Sequence, residues 1–310
     1  MKKYLLKRIL ISIVTLFCIL LILFIMLNLL PGSPFNSEKL SDEQKAVVMA
    51  KYGLDKPVIE RFLIYLKNML KGDFGVSYNI ATNVPISDLL REHMPITVYL
   101  GLASMIIGSA LGMSAGFFAA LNKNGIGDLL CSVLSIIGIS IPSYIFAICL
   151  AYFIGFQWEM LPLLYDFRYP VLSSVMPVIA YSLPIAAVIC RFTRDEATNV
   201  MKSDYVLFAR SQGIDGSKLL FGYVLRNSLM PVITIITLML VNLLTGSMVV
   251  ENIFSIPGIG NMMTMAVTEN DYNVIIALAF VYAVLFIIAR LILDIIYGII
   301  DPRVRIIGKE

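Results

Sequence analysis

Six long apolar runs dominate this chain of 310 residues and leave few folds open to it. They fall at about residues 9–30, 96–121, 129–155, 171–189, 229–250 and 274–300. Crossing about 30 Å of hydrocarbon takes roughly 20 apolar residues at helical rise. In lipid an unpaired backbone N–H or C=O finds no water, so each run is expected to be an α-helix. Composition agrees: 59% of residues are hydrophobic and 15% charged, against about 45–50% and about 25% in soluble domains. The expected fold class is an all-α polytopic membrane protein with six transmembrane helices.

Loop charges orient these helices. Lys2, Lys3, Lys7 and Arg8 precede the first run, Lys123 lies in the short 122–128 connection, and the 190–228 loop carries six Lys/Arg. Arg303, Arg305 and Lys309 close the chain. On the other side, the 156–170 loop carries only Arg168, and 251–273 carries Glu251, Glu269 and Asp271 without a single Lys or Arg. Both termini are therefore expected in the cytoplasm. The basic start could suggest a signal peptide, but its apolar run is too long and no small-x-small cleavage site follows. The expected organisation is 1–30 as N-terminus and first crossing, 31–95 as an outer segment, 96–300 as core with a cytoplasmic loop at 190–228, and 301–310 as tail. Within the outer segment, Ser41 before Asp42 and Glu43 predicts one helix start. Pro57 followed by apolar residues at helical spacing from Val58 to Lys67 predicts a second helix. The segment reads as a small helical cap.

Inside the membrane runs, small residues recur every four positions at Ser104, Gly108, Gly112, Gly116 and Ala120. Such a line lets another helix backbone approach closely. Packing within the chain and a subunit interface both fit it. Gly112-Met113-Ser114-Ala115-Gly116 matches G-x-S-x-G, but a nucleophile elbow needs a strand–turn–helix context that a membrane helix does not provide. Pro142, Pro177 and Pro184 predict kinks, because proline removes a helical hydrogen bond and crowds the preceding turn. Arg290 and Asp294 lie four apart on the last run and can pair along it. The crossings otherwise lack the charged cluster that an ion-coupled carrier needs. Cys18, Cys131, Cys149 and Cys190 sit in or beside apolar runs without paired spacing, and His93 is the single histidine. No disulfide framework, metal site or catalytic constellation is expected.

A transporter needs energy, yet the chain has no G-x-x-x-x-G-K-[S/T] loop for nucleotide phosphates. The long cytoplasmic loop is the candidate docking site for a chain that has one. Ser203 and Asp204 can cap a short helix from Tyr205 to Gln212, and Gly213 stands where a left-handed C-cap is expected. Tyr205, Phe208, Ala209 and Gln212 are expected to share one face. A second helix from about Ser217 would place Leu219, Leu220, Tyr223 and Val224 together. Exposed aromatics on a short helix suit insertion into a partner's cleft; an amphipathic helix on lipid headgroups is the alternative.

The segment Asp204-Tyr205-Val206-Leu207-Phe208-Ala209-Arg210-Ser211-Gln212-Gly213, with Val224 to Val232, resembles the coupling loop of ABC importer permeases of the dipeptide/oligopeptide/nickel branch. Leu207 and Phe208 depart from the Glu and Ala of the general motif, and Arg226 stands in place of its terminal proline. Leu225-Arg226-Asn227 is the peptide-branch pattern there. Tyr52 to Pro57, Gly72 to Tyr78, Pro95-Ile96-Thr97, Val250 to Gly260 and Asp301-Pro302-Arg303 resemble the first permease subunit of such systems. The resemblance implies the type I importer permease fold in a bacterial plasma membrane. It implies an ATPase contact through Asp204, Tyr205, Phe208, Ala209, Arg210, Gly213, Leu225, Arg226 and Asn227. Gly108, Gly112, Gly116, Pro142, Pro177 and Pro184 are pathway or packing candidates. The partners implied are a second permease subunit, two ATPase subunits holding ATP and Mg, an extracytoplasmic binding protein and membrane lipid, with no cofactor on this chain and no nucleic acid. The cargo expected is peptide, with nickel or a metal chelate as alternative. A proton-coupled carrier and an intramembrane serine protease using Ser114 are the readings from other classes.

Overall fold

The helix carrying the second apolar run begins at Ile86, ahead of residue 96 where hydropathy marks it, and runs to Leu121. Pro95 lies inside it. At 1.5 Å per residue its 36 residues reach about 54 Å, well beyond the hydrocarbon thickness. The structure, a computed structural model, describes residues 2–29, 56–244 and 248–300, with side chains at 10–26, 56–240, 243 and 248–291. The expected helix start at Ser41, the Tyr52–Asp55 stretch and the Asp301-Pro302-Arg303 end lie outside the described residues, as does the side chain of Asp294.

The helices are α1 (Lys2–Leu29), α2 (Val58–Met69), α3 (Ile86–Leu121), α4 (Ile126–Ser140), α5 (Ser143–Leu150) and α6 (Pro170–Met201). They continue with α7 (Asp204–Ser211), α8 (Gly216–Leu219), α9 (Arg226–Leu244), α10 (Met248–Ile253), α11 (Ile259–Thr268) and α12 (Tyr272–Ile300). A π-helical stretch, Ala151–Gln157, extends α5, and another, Leu220–Leu225, joins α8 to α9. Among the described residues there is no strand, and the bridge between Val76 and Pro85 stands alone. Ile86–Leu121, Pro170–Met201, Gly216–Leu240 and Tyr272–Leu291 are long and apolar enough to cross a membrane, and the bent pair α4–α5 has the combined length and apolarity of a broken span or a re-entrant loop, which gives four to five spans among the described residues. Around α1, the described apolar stretch is Leu10–Met26.

Three expectations change here. Pro142 does more than kink its run: α4 and α5 meet at 96°, with Ile141 extended (φ −88°, ψ 121°). A residue before proline is pushed out of the helical region, and Ile141 follows that preference. Pro177 and Pro184, by contrast, sit inside one uninterrupted helix that continues to Met201, past residue 189. The fifth run is also redrawn: its helix starts at Gly216, and Val250 belongs to the separate α10.

The chain divides into two compact units, residues 1–96 with 257–288 and residues 97–256 with 289–310. The first is built on Leu20 and Phe24 of α1, Phe62 and Met69 of α2, and the apolar faces of α11 and α12. Phe62 meets Phe17 and Phe24 edge-on, both at 5.5 Å between ring centres, a favoured aromatic geometry. One carboxylate organises the polar part of this unit. Asp271 is fully buried ahead of α12, and its Oδ2 accepts from the Ser77 hydroxyl at 2.6 Å. The same oxygen accepts from the backbone N–H groups of Tyr78 and Asn79 at 2.9 Å and of Ile80 at 3.2 Å. Consecutive N–H groups turned onto one oxygen form an anion nest. Asn79 Nδ2 donates to the Glu269 carbonyl at 2.7 Å, and Asn273 Nδ2 to that of Val76 at 3.0 Å. The Tyr65 hydroxyl donates to the Asn273 carbonyl at 3.2 Å. Burial pushes the Tyr65 phenol far above its ordinary pKa, so it remains a donor.

The second unit is built around α6. A Cβ added at Gly108 would stand 2.8 Å from the Ser182 carbonyl oxygen, at Gly112 2.6 Å from that of Ala186, and at Gly116 2.5 Å from that of Cys190. Each step of four on α3 thus meets a step of four on α6, and the small-residue line is filled by the same chain rather than left for another subunit. Gly138 of α4 is likewise closed in: a Cβ there would meet Ala187 Cβ at 2.7 Å. Val232 of α9 is buried with Met105, Ile185 and Ile189. α6 therefore packs against α3, α4 and α9.

Two predictions follow from these contacts. Gly112→Leu forces α3 off α6 and should destabilise the purified protein by about 1–3 kcal/mol, read as a lowered melting temperature. Gly222→Ala, where no atom lies within 4 Å of the added Cβ, should leave it unchanged. Asp271→Ala strands a hydroxyl and three backbone donors and should cost on the order of 3 kcal/mol. Amide exchange at Tyr78–Ile80 should accelerate; unchanged protection there would refute the clasp.

Candidate functional site

Two residues, Lys202 and Ser203, separate α6 from α7. That tightness decides how α7 starts. Ser203 has the extended backbone of an N-cap (φ −71°, ψ 149°), but its side chain makes no cap bond. Its hydroxyl instead donates to the Val200 carbonyl at 2.6 Å, which also accepts the Ser203 N–H at 3.0 Å at the end of α6. The first N–H groups of α7, from Val206 and Leu207, reach the Ser203 carbonyl at 3.0 Å each. Asp204 in the first turn and Arg210 in the last complement the helix dipole.

The end of α7 matches expectation in full. Gly213 takes φ +78°, its N–H bonds the Arg210 carbonyl at 2.9 Å, and the Ile214 N–H bonds that of Ala209 at 3.1 Å. This paired closure with a left-handed glycine is the Schellman arrangement. Ile214 packs into the cluster that contains Ala209, the apolar contact that usually accompanies it.

The faces of α7 differ from expectation. Val206 and Ala209 point inward and are buried with Ala120 of α3, Ala197 of α6, Leu219 and Val224. Tyr205, Leu207 and Phe208 point outward, Phe208 at 64% exposure. Arg210 and Gln212 are exposed as well. Ala209 thus belongs to the seat of the helix and not to the aromatic face it was grouped with. A three-residue step, 206 to 209, is all this short helix needs to anchor itself, and the wide remainder faces outward. Leu219, Leu220, Tyr223 and Val224 do line one side, against the same cluster. Leu225, Arg226 and Asn227 lie on the uninterrupted helical path into α9. Arg226 and Asn227 are exposed, and Asn227 Nδ2 donates to the Tyr223 carbonyl at 2.8 Å.

Beside this seat lies an ion pair that the sequence alone does not reveal. Arg194 of α6 holds Asp128 of α4 with two parallel bonds, Nε to Oδ1 at 3.0 Å and Nη2 to Oδ2 at 2.9 Å. Its Nη1 also reaches Asp195 at 2.9 Å, and the Asn124 backbone N–H donates to Asp128 at 3.0 Å. A bidentate guanidinium–carboxylate pair fixes orientation as well as distance. A second buried carboxylate, Glu251 of α10, accepts the Thr97 hydroxyl at 2.9 Å. That bond brings together Pro95-Ile96-Thr97 and Val250 to Gly260, just as Asp271 brings the Gly72 to Tyr78 stretch onto residues 269–271. These partners are 66, 154 and about 190 residues apart, so no local pattern pairs them.

The structure supplies no nucleophilic constellation at Ser114. Its hydroxyl is exposed and donates to the Ala110 carbonyl at 2.7 Å, one turn back on α3. His93 is on the same helix, about six turns away, with Nδ1 2.9 Å from the Leu89 carbonyl. What the site offers is mechanical: an apolar-aromatic face on a short rigid helix, braced on the ends of α3, α6 and α8.

Comparison with known proteins agrees with this architecture. Residues 112–306 match the model for the binding-protein-dependent transport system inner membrane component, and residues 1–101 the model for the N-terminal part of such components. The chain is 38% identical, over 99% of its own length and the whole of the relative, to the dipeptide transport system permease protein DppB of Lactococcus lactis. It is 33% identical, over 98% of its length and all of the relative, to the oligopeptide transport system permease protein OppB of Haemophilus influenzae. Among solved structures, the methionine ABC transporter MetNI in inward-facing conformations superposes with a TM-score of 0.55 at 14% identity, over 70% of this chain and 98% of that one. Matched along almost its whole length, this chain belongs to the family of binding-protein-dependent transport system inner membrane components.

Proposed function

We propose that this chain is the permease subunit of an ATP-driven importer, forming the membrane pathway for dipeptides or oligopeptides. The observation that carries the reading is the full-length likeness to permeases named for these cargoes; nickel is not favoured. The chain is a transport subunit, with ATP hydrolysis, ATP and Mg on partner ATPases. We place the protein across a bacterial plasma membrane by six helices: α1, α3, the bent α4–α5 pair, α6, α9 and α12. The basic residues at Lys2 to Arg8, at Lys123 and around 190–228 put both termini and α7 in the cytoplasm. The partners are a second permease subunit, two ATPase subunits and an extracytoplasmic binding protein.

In this scheme Tyr205, Leu207 and Phe208 enter a cleft on the ATPase, and ATP-driven closure moves α7. Val206 and Ala209 tie α7 to α3, α6 and α8, so a displacement passes to α3 and α6 together. Their backbone-to-backbone packing makes those two helices move as one. The break at Pro142 lets α5 change its angle to α4 without melting a helix.

Phe208→Ala removes exposed surface and should leave folding intact. It should cost about 2 kcal/mol of ATPase association, roughly 30-fold, with loss of substrate-stimulated ATP hydrolysis in the reconstituted complex. Gly213→Val puts a β-branched residue in left-handed geometry at about 1–2 kcal/mol and should uncouple hydrolysis from uptake. Full stimulation and uptake in both variants would refute the coupling role.

A further inference from the structure

A cavity of about 240 Å³ opens between α4 and α6, with Ser132, Ser135 and Ile136 on one wall and Arg191, Arg194 and Asp195 on the other. Its charge is unbalanced. Arg194 is committed to Asp128 and Asp195, one guanidinium set against two carboxylates. Arg191 is exposed and forms no ion pair among the described residues. Lys123 and Lys202 lie against each other beside Arg194; contact with Lys202 pushes the Lys123 ammonium pKa down, and the Arg194 charge adds to this. Four cations thus gather around two carboxylates. The excess is positive, and an anion is the group that would offset it.

The apolar surroundings say what kind of anion fits. From Ile136 at the cavity wall, α4 continues as an exposed aliphatic stripe through Val133 to Leu129, which is 63% exposed. A free anion has no use for that stripe, whereas an acyl chain does. The Arg191 guanidinium and the Ser132 and Ser135 hydroxyls are donors suited to phosphate oxygens, the Ser132 hydroxyl turning from its long 3.5 Å bond to Asp128. Basic pockets between membrane helices on the cytoplasmic side hold anionic headgroups in this manner.

We propose that this cavity binds the phosphate headgroup of an anionic phospholipid, with an acyl chain along Leu129, Val133 and Ile136. The site bridges α4 and α6 next to the seat of α7, so an occupied site would stiffen the base on which α7 stands. It rests on the permease reading only in requiring that these helices lie in a bilayer with this end at the cytoplasmic leaflet.

The test uses the purified transporter complex in nanodiscs made with phosphatidylcholine alone or with added phosphatidylglycerol. Native mass spectrometry reads lipid retention, and melting temperature reads stabilisation, both without ATP. Wild-type protein should retain phosphatidylglycerol and be stabilised by it, and not by phosphatidylcholine. Loss of one charged hydrogen-bond donor in Arg191→Gln should weaken retention about tenfold, and Ser132→Phe, which fills the cavity, should abolish it. Both should melt like wild type in phosphatidylcholine. Arg168→Gln, an exposed arginine outside the cavity, should retain lipid normally. Equal retention by Arg191→Gln and Ser132→Phe, or equal loss in Arg168→Gln, would overturn the site. Stabilisation by inorganic phosphate equal to that by lipid would overturn the lipid as its occupant. Since none of these readouts involves hydrolysis or uptake, failure here leaves the coupling proposal standing, and the reverse also holds.

Discussion

In the second unit α3 and α6 meet backbone to backbone, and most of that unit follows from it. Gly108, Gly112 and Gly116 present no side chain to α6, so its carbonyl oxygens at Ser182, Ala186 and Cys190 come to where a Cβ would otherwise stand. Between membrane helices there is no water to expel, so contact area and dispersion must hold them, and a line of glycines maximises both. The same arrangement flanks Pro184 of α6. Pro184 falls within the stretch that α3 grips, and the helix stays whole. At Pro142 the chain breaks, with Ile141 extended. One residue type gives two outcomes in this fold.

Where backbones approach this closely, charges serve as fasteners. Asp271, Glu251 and Asp128 are each buried or nearly so, and each is answered by donors from a distant part of the chain. A buried carboxylate without partners costs several kcal/mol, so its donors are held firmly once met. Asp271 gathers a loop of irregular backbone, Ser77–Ile80, and takes the N–H groups of Tyr78, Asn79 and Ile80. Asp128 holds α4 to α6 at the end where α7 attaches. The acidic residues that stand out in a membrane sequence as candidates for carrying ions are, in this fold, the fixings of loops and helix ends.

α7 shows how much and how little a short segment tells. Its length, its C-terminal closure at Gly213 and its aromatic content were legible, because each depends on residues within one or two turns. Its orientation was not. On eight residues, Ala209 can be grouped with Tyr205 and Phe208 or with Val206, and the choice belongs to Ala120, Ala197 and Leu219, which are remote in sequence. Ser203 teaches the same lesson: a residue typed as a cap spends its hydroxyl on the preceding helix because the connection is so short. The early start of α3 at Ile86 and the continuation of α6 to Met201 escaped hydropathy, since helices do not end where the bilayer does.

The apolar runs, the absence of a phosphate-binding loop and the Gly213 stop were determined by the sequence itself: hydrogen bonding in lipid and left-handed geometry are local demands that composition and residue type answer. Which helix fills the glycine line, which proline breaks its helix, which acid meets which donor and which face of α7 looks outward were decided by the tertiary structure. Those are choices among partners far apart in the chain. Their energies exist only once the partners have met.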